Sequence, residues 1–180
     1  MKKRLFIFTL IQIFISSCSK DSHSHNDQES INKITVDLVS ASHTAMFSFE
    51  DKDGDGGLSP ILRADSLKTN QTYTATINVF KFENNAWIET TDEILREGID
   101  HQFFFAATAN ALETNYADLD VNGKPIGLKS TWITKSAAAG KLKLTLLHGP
   151  NKSATGAATG DKTNAGGETD VEIEWDVKIN

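Results

Sequence analysis

The run Asp170-Val171-Glu172-Ile173-Glu174-Trp175-Asp176-Val177-Lys178-Ile179 alternates charged and apolar residues without a break. Side chains of a β-strand point to opposite faces with a period of two, so the run turns one face to a core and the other to water. In a helix the same residues would be scattered around the circumference. Segments 33–40, 44–50, 61–67, 72–82, 101–108, 112–118, 126–134 and 141–148 also read as strands, being β-branched, aromatic or alternating and bounded by Gly, Asn, Asp or Pro. The expected fold class is mostly β, a single immunoglobulin-like antiparallel β-sandwich of about seven to nine strands with one short helix.

Within that frame His101-Gln102-Phe103-Phe104-Phe105 is apolar on both faces after its first two residues, the pattern of a central strand. Leu67, the turn 68–72 and Tyr73 follow the order of a tyrosine corner, in which the phenol bonds back to the chain; a half-buried strand tyrosine reads equally well. Thr90 with Glu93 has the spacing of a capping box, and Ile94 with Leu95 supplies a short apolar stripe before Gly98. Residues 149–169 form a long connection of small and polar residues, a length uncommon in compact domains and usually functional or mobile.

The N-terminus sets the expected address. Lys2, Lys3 and Arg4 precede an apolar run from Leu5 to Ile15 that stops at Ser16-Ser17-Cys18, the layout of a lipoprotein signal and too short for a spanning helix. The predicted organisation is a signal peptide over 1–17, a flexible tether over 18–30 joined to membrane lipid through Cys18, and the β-sandwich over 31–180. Such a chain is exported and anchored to the outer membrane. Cys18 is the only cysteine, so its lipidation leaves no thiol for a disulfide, a thiolate zinc site or a nucleophile. Processing changes 18 basic against 24 acidic residues to 15 against 24, moving the formal charge from −6 to −9. An acidic chain without a basic stripe is a poor nucleic-acid binder, and none is expected as a partner.

Asp51-Lys52-Asp53-Gly54-Asp55-Gly56 fits the start of a calcium loop, where alternate carboxylates converge on a hard cation. Asp118-Leu119-Asp120-Val121-Asn122-Gly123 repeats the pattern. Both lack the acid at the twelfth place, where Leu62 and Lys129 stand, and both also have the composition of polar turns. His101 and His148 fall at a strand start and a strand end, while His23 and His25 lie on the tether. If the strands alternate up and down, the connections 50–60, 83–100, 118–125 and 148–170 leave one end of the sandwich. His101 and His148, with Glu97 or a loop aspartate, then make the best candidate site for zinc, because imidazole and carboxylate suit a borderline metal. The candidate metal ligands are therefore His101, His148, Glu97, Asp51, Asp53, Asp55, Asp118 and Asp120, with calcium or zinc as the ion.

No G-x-S-x-G, H-E-x-x-H or phosphate-cradling glycine loop appears, so no enzyme is expected and no catalytic residue is assigned. Glu172 and Glu174 share the solvated face of their strand. Trp175 reads as core, and Trp87 and Trp132 as exposed platforms for a sugar or peptide. The stretches 97–105, 148–153 (His-Gly-Pro-Asn-Lys-Ser), 164–170 (Asn-Ala-Gly-Gly-Glu-Thr-Asp) and Asp53-Gly54-Asp55-Gly56-Gly57 resemble a family of small Bacteroidota lipoproteins called type 1 periplasmic-binding-fold proteins. That name implies two α/β lobes, whereas the pattern here predicts one mostly-β domain. The resemblance implies an accessory role beside a TonB-dependent outer-membrane receptor and transfers no catalytic residue. The expected function is a lipid-anchored ligand-binding module for a metal or metal complex; a structural or adhesive module that contacts glycan or protein is the alternative.

Overall fold

The computed structural model describes residues 30–180, with Asp55 by its backbone alone. The expected signal peptide, Cys18, His23 and His25 lie outside the described residues. Ten strands and one α-helix follow in order: β1 Lys33–Val39, β2 Thr44–Glu50, β3 Ile61–Ala64, β4 Thr72–Glu83, β5 Ala86–Glu89, α1 Thr91–Arg96, β6 His101–Ala107, β7 Leu112–Tyr116, β8 Lys129–Thr134, β9 Ala138–His148 and β10 Glu168–Ile179. One antiparallel sheet runs β3-β2-β1-β4-β8-β7 with β5 hairpinned onto β4, and the other runs β10-β9-β6. The chain is a mostly-β sandwich, as the alternation predicts. The strand beyond the expected count is β5. Asn84 and Asn85, at φ 52° and 62°, supply the two left-handed residues that a tight type I′ hairpin requires. Among the described residues no helix is long and apolar enough to cross a membrane.

The core lies between the sheets. Phe47 meets Trp132 edge-on at 5.7 Å and Trp175 at 5.8 Å, and Phe105 closes on Trp132 at 5.9 Å. Trp175 donates its indole N–H to the Ser48 carbonyl across the gap at 2.8 Å, which satisfies its one polar atom within the core. Trp132 is fully buried, with its N–H on Ser130, so it is core and not the expected platform. Trp87 sits on β5 against Phe82, beneath the ammonium groups of Lys33 and Lys52. Tyr73 forms the corner: its phenol oxygen accepts the Lys68 N–H at 2.9 Å.

Two local expectations differ from the structure. Strand β6 is at the edge of its three-stranded sheet, not at its centre. Its second face is apolar because the 149–167 connection folds over it, burying Ala157 and Ala165 against Phe104 and Leu147. Small residues let that segment lie close, and Gln102 fastens it by donating to the Ala157 carbonyl at 2.8 Å. The capping box does not form. The Thr90 hydroxyl donates to Val79 and makes no cap bond, so the six-residue helix is held mainly by buried Ile94, while Leu95 faces out.

Register fixes the ends of the sandwich. Lys33 faces Glu50 and Phe80 at one end. Leu67, just ahead of β4, bridges Ile179 at the other. Glu168, paired with His148, and His148, paired with His101, therefore lie at the Lys33 end. The four connections 51–60, 84–100, 117–128 and 149–167 leave from this end, as alternation predicts. The missed hairpin does not disturb this, because β5 returns only as far as Phe80.

The solvated face of β10 carries an ion-pair network. Glu172 takes Lys143 at 2.7 Å on one oxygen and Lys162 at 2.8 Å on the other, and these bonds pull its carboxyl down to about 2. A folded-state value below the unfolded one makes the contribution present above about pH 4.5 and lost as pH falls toward 2. Because the group is more than a third exposed, solvent screening keeps the effect below about 1 kcal/mol. Chemical denaturation should find Glu172→Gln less stable than the natural chain at pH 6 and indistinguishable from it near pH 2.

Candidate metal centre

His101 opens β6 and His148 closes β9, and antiparallel pairing sets them directly opposite each other across 47 residues of sequence. The rings meet edge-on, with Nε2 of His101 3.1 Å from Nδ1 of His148. The third member is Asp170, whose Oδ2 lies 3.7 Å from His101 Nε2. One ligand atom from each residue falls within 4.8 Å of the others, and this is the group of three potential ligands that gathers among the described residues. His101 is fully buried, and the other two are partly covered.

Hydrogen bonding fixes the tautomers. Nδ1 of His101 lies 3.2 Å from the Glu97 carbonyl oxygen, which can only accept, so Nδ1 carries a proton. In the neutral ring Nε2 then holds a lone pair, which accepts the Nδ1–H of His148. Burial pushes the His101 imidazolium pKa down, outweighing the Glu97 carbonyl and the Asp170 charge, and so favours the neutral ring. A neutral imidazole with its far N–H held by a backbone carbonyl is the usual arrangement of a zinc-bound histidine. Four ligands at 2.0–2.1 Å around zinc stand roughly 3.3 Å apart, close to the spacing of the two nitrogens. To bind, His148 must carry its proton on Nε2 and turn the freed Nδ1 to the ion.

Asp170 escapes the sequence reading because it sits in the charged register of the C-terminal run. Pairing with β9 shifts between Thr169 and Val171, leaving Asp170 as the extra residue of a β-bulge. A bulge re-aims a side chain, and here it carries the carboxylate toward the histidines. Glu97 lies on the opposite side of the ring, with Oε2 4.0 Å from His101 Nδ1 and its side chain 55% exposed. It contributes through its carbonyl, behind the first ligand.

The carboxylates of the second acidic loop build its turn. Asp118 accepts the N–H groups of Gly127 and Lys129, one on each oxygen. Asp120 accepts Asn122 and Lys124 on Oδ1 and holds Lys152 at 3.0 Å on Oδ2. Both are turn-building carboxylates in this structure. Asp53 accepts the Leu58 N–H at 3.2 Å, and the Asp51 backbone N–H bonds the Asn32 carbonyl at 2.7 Å. Asp55 lies in the short 3₁₀ turn Gly54–Gly56.

Lys152 is the functional-end residue that sequence reading passed over. It belongs to the 149–167 connection and is buried, and its ammonium bonds Asp120 and the Gly98 carbonyl. Gly149 adds a backbone bond to Asp100 at 2.7 Å. Three connections are thus tied together around the residues that lead into His101.

No family model matches the chain, and neither a curated protein nor a solved structure matches it.

Proposed function

We propose that this chain is an exported, lipid-anchored domain that binds a borderline divalent metal ion, zinc first, through His101, His148 and Asp170. It would serve as a metal-binding accessory beside an outer-membrane receptor. The observation that carries the metal reading is the convergence of two imidazole nitrogens and a carboxylate oxygen within 4.8 Å at one end of a rigid sandwich. Nitrogen and carboxylate donors suit zinc better than calcium, and three protein ligands leave a fourth position for water or a bound molecule. The lipid anchor rests on the basic, apolar and small-residue order that ends at Cys18.

The test is calorimetric titration of zinc into the chain carrying His23→Ala/His25→Ala, compared with the same chain further changed at His101→Ala/His148→Ala. The first should bind one equivalent and melt higher with zinc, gaining about 2.7 kcal/mol when free zinc is a hundredfold above Kd. Affinity should fall below about pH 6, where protons compete for imidazole. The second should show neither binding nor stabilisation, and equal affinity in the two proteins would reject the site. Melting without zinc checks that each variant is folded.

A further inference from the structure

Exposed apolar side chains are distributed unevenly over this fold. Leu58, Ile88, Leu95, Ile99, Leu119 and Val121 stand on the connections and the short hairpin at the His101 end, Met46, Ile61 and Leu62 lie on strands β2 and β3, and the opposite end exposes Val39, the last residue of β1. Leu95, Ile99, Leu119 and Val121 gather around one shallow crevice of about 150 Å³ between the helix and the 117–128 connection. Val121 is 94% exposed, yet it stands at the apex of a fastened turn: Asp120 holds the N–H groups on its far side, and the buried Lys152 holds Asp120. With Leu95, Ile99 and Leu119, Val121 makes a contiguous exposed apolar patch, the kind of surface that marks an interaction site.

The chain joins the domain at this same end. Asn32 donates to the Phe80 carbonyl at 3.0 Å and leads into β1, and Cys18 lies 13 residues before Ile31. Fully extended, those residues span at most about 45 Å. An acyl anchor at Cys18 therefore keeps the Asn32 end of the sandwich within about 45 Å of the bilayer and lets that end reach it. Asp92, Glu93, Glu97 and Asp100 outnumber Arg96 and Lys124 around the patch, so attraction to anionic lipid does not account for it.

We propose that the end bearing Leu95, Ile99, Leu119 and Val121 docks on the bilayer that holds the chain, with these side chains entering the headgroup boundary of zwitterionic lipid. This rests on the lipid-anchored reading above. Acyl chains and a shallow apolar face then act as two membrane signals. The metal centre faces the membrane surface as a result.

The acylated full chain, with Cys18 occupied by lipid, accepts a single added thiol. Val121→Cys and, at the far end, Lys135→Cys are labelled with an environment-sensitive fluorophore and reconstituted in phosphatidylcholine–phosphatidylethanolamine vesicles containing nitroxide lipid. The label at 121 should shift to the blue and be quenched several-fold more than the label at 135, and high salt should leave both effects in place. Adding Ile99→Ser/Leu119→Ser should return the label at 121 toward water. Vesicle-bound protein whose label at 121 is as wet as that at 135 overturns the docking and leaves the anchor standing. Protein that does not float with the vesicles overturns the anchor and the docking together. Shielding that appears only with added outer-membrane protein assigns the face to a protein and also overturns the lipid assignment.

Discussion

Replacing Trp175 by alanine should cost about 3–5 kcal/mol, a large share of the roughly 5–15 kcal/mol that holds a domain together. Trp175 is almost completely buried, packs on Phe47, and spans from β10 to the Ser48 carbonyl of the facing sheet. Truncation removes the aromatic contact, opens a cavity and leaves that carbonyl without its indole donor, so three penalties fall at one point. Trp175→Phe keeps most of the volume but not the N–H, and should lose about 1–3 kcal/mol. Urea denaturation followed by circular dichroism measures both. An alanine variant within 1 kcal/mol of the natural chain, by that roughly estimated scale, contradicts the packing described for this core.

The second large effect is expected at Lys152. Lys152→Ala strands Asp120 as an uncompensated carboxylate, and breaking a buried pair in this way costs about 3–5 kcal/mol. Although burial alone would raise it, the Asp120 carboxyl pKa is held below its usual range by the Lys124 N–H, the Lys152 ammonium and the Asn122 N–H. Lys152→Met with Asp120→Asn keeps an oxygen for the two N–H groups and leaves no bare charge, so it should recover a good part of the loss. The two variants also separate stability from binding. With Gly98 released, the segment that fixes His101 Nδ1 loosens, and zinc affinity should drop in both. Denaturation and zinc titration of the single and double variants make the check.

How much of this was legible in the chain depends on which interactions decide each element. Strands β1, β2, β4, β8 and β10 follow from alternation because each buries one face, and a one-residue slip would expose it. The Asn84-Asn85 hairpin went unread because its arms are short and half-exposed, leaving the turn itself as the signal. Strand β6 misled for a different reason. Burial on both faces is a property of what covers a strand, and small residues 149–167 provide that cover without any apolar run of their own. His101 and His148 could be brought together by counting strands, since parity is a global property of an antiparallel fold. Asp170 could not, because a single bulged residue reverses the face on which its neighbours' alternation puts it. The acidic loops show the limit of spacing motifs: Asp118 and Asp120 have the residue types of calcium ligands, and their oxygens go to backbone N–H groups and a buried lysine.

If His101, His148 and Asp170 form one metal site, a single ion should sit between them. Crystals of the chain carrying His23→Ala/His25→Ala, grown with zinc and measured on both sides of its absorption edge, test it directly. An anomalous peak is expected about 2.0–2.2 Å from His101 Nε2, His148 Nδ1 and an Asp170 carboxylate oxygen. With zinc in excess, a map with no peak between these residues, or with its strongest peak at the acidic loops, would contradict it.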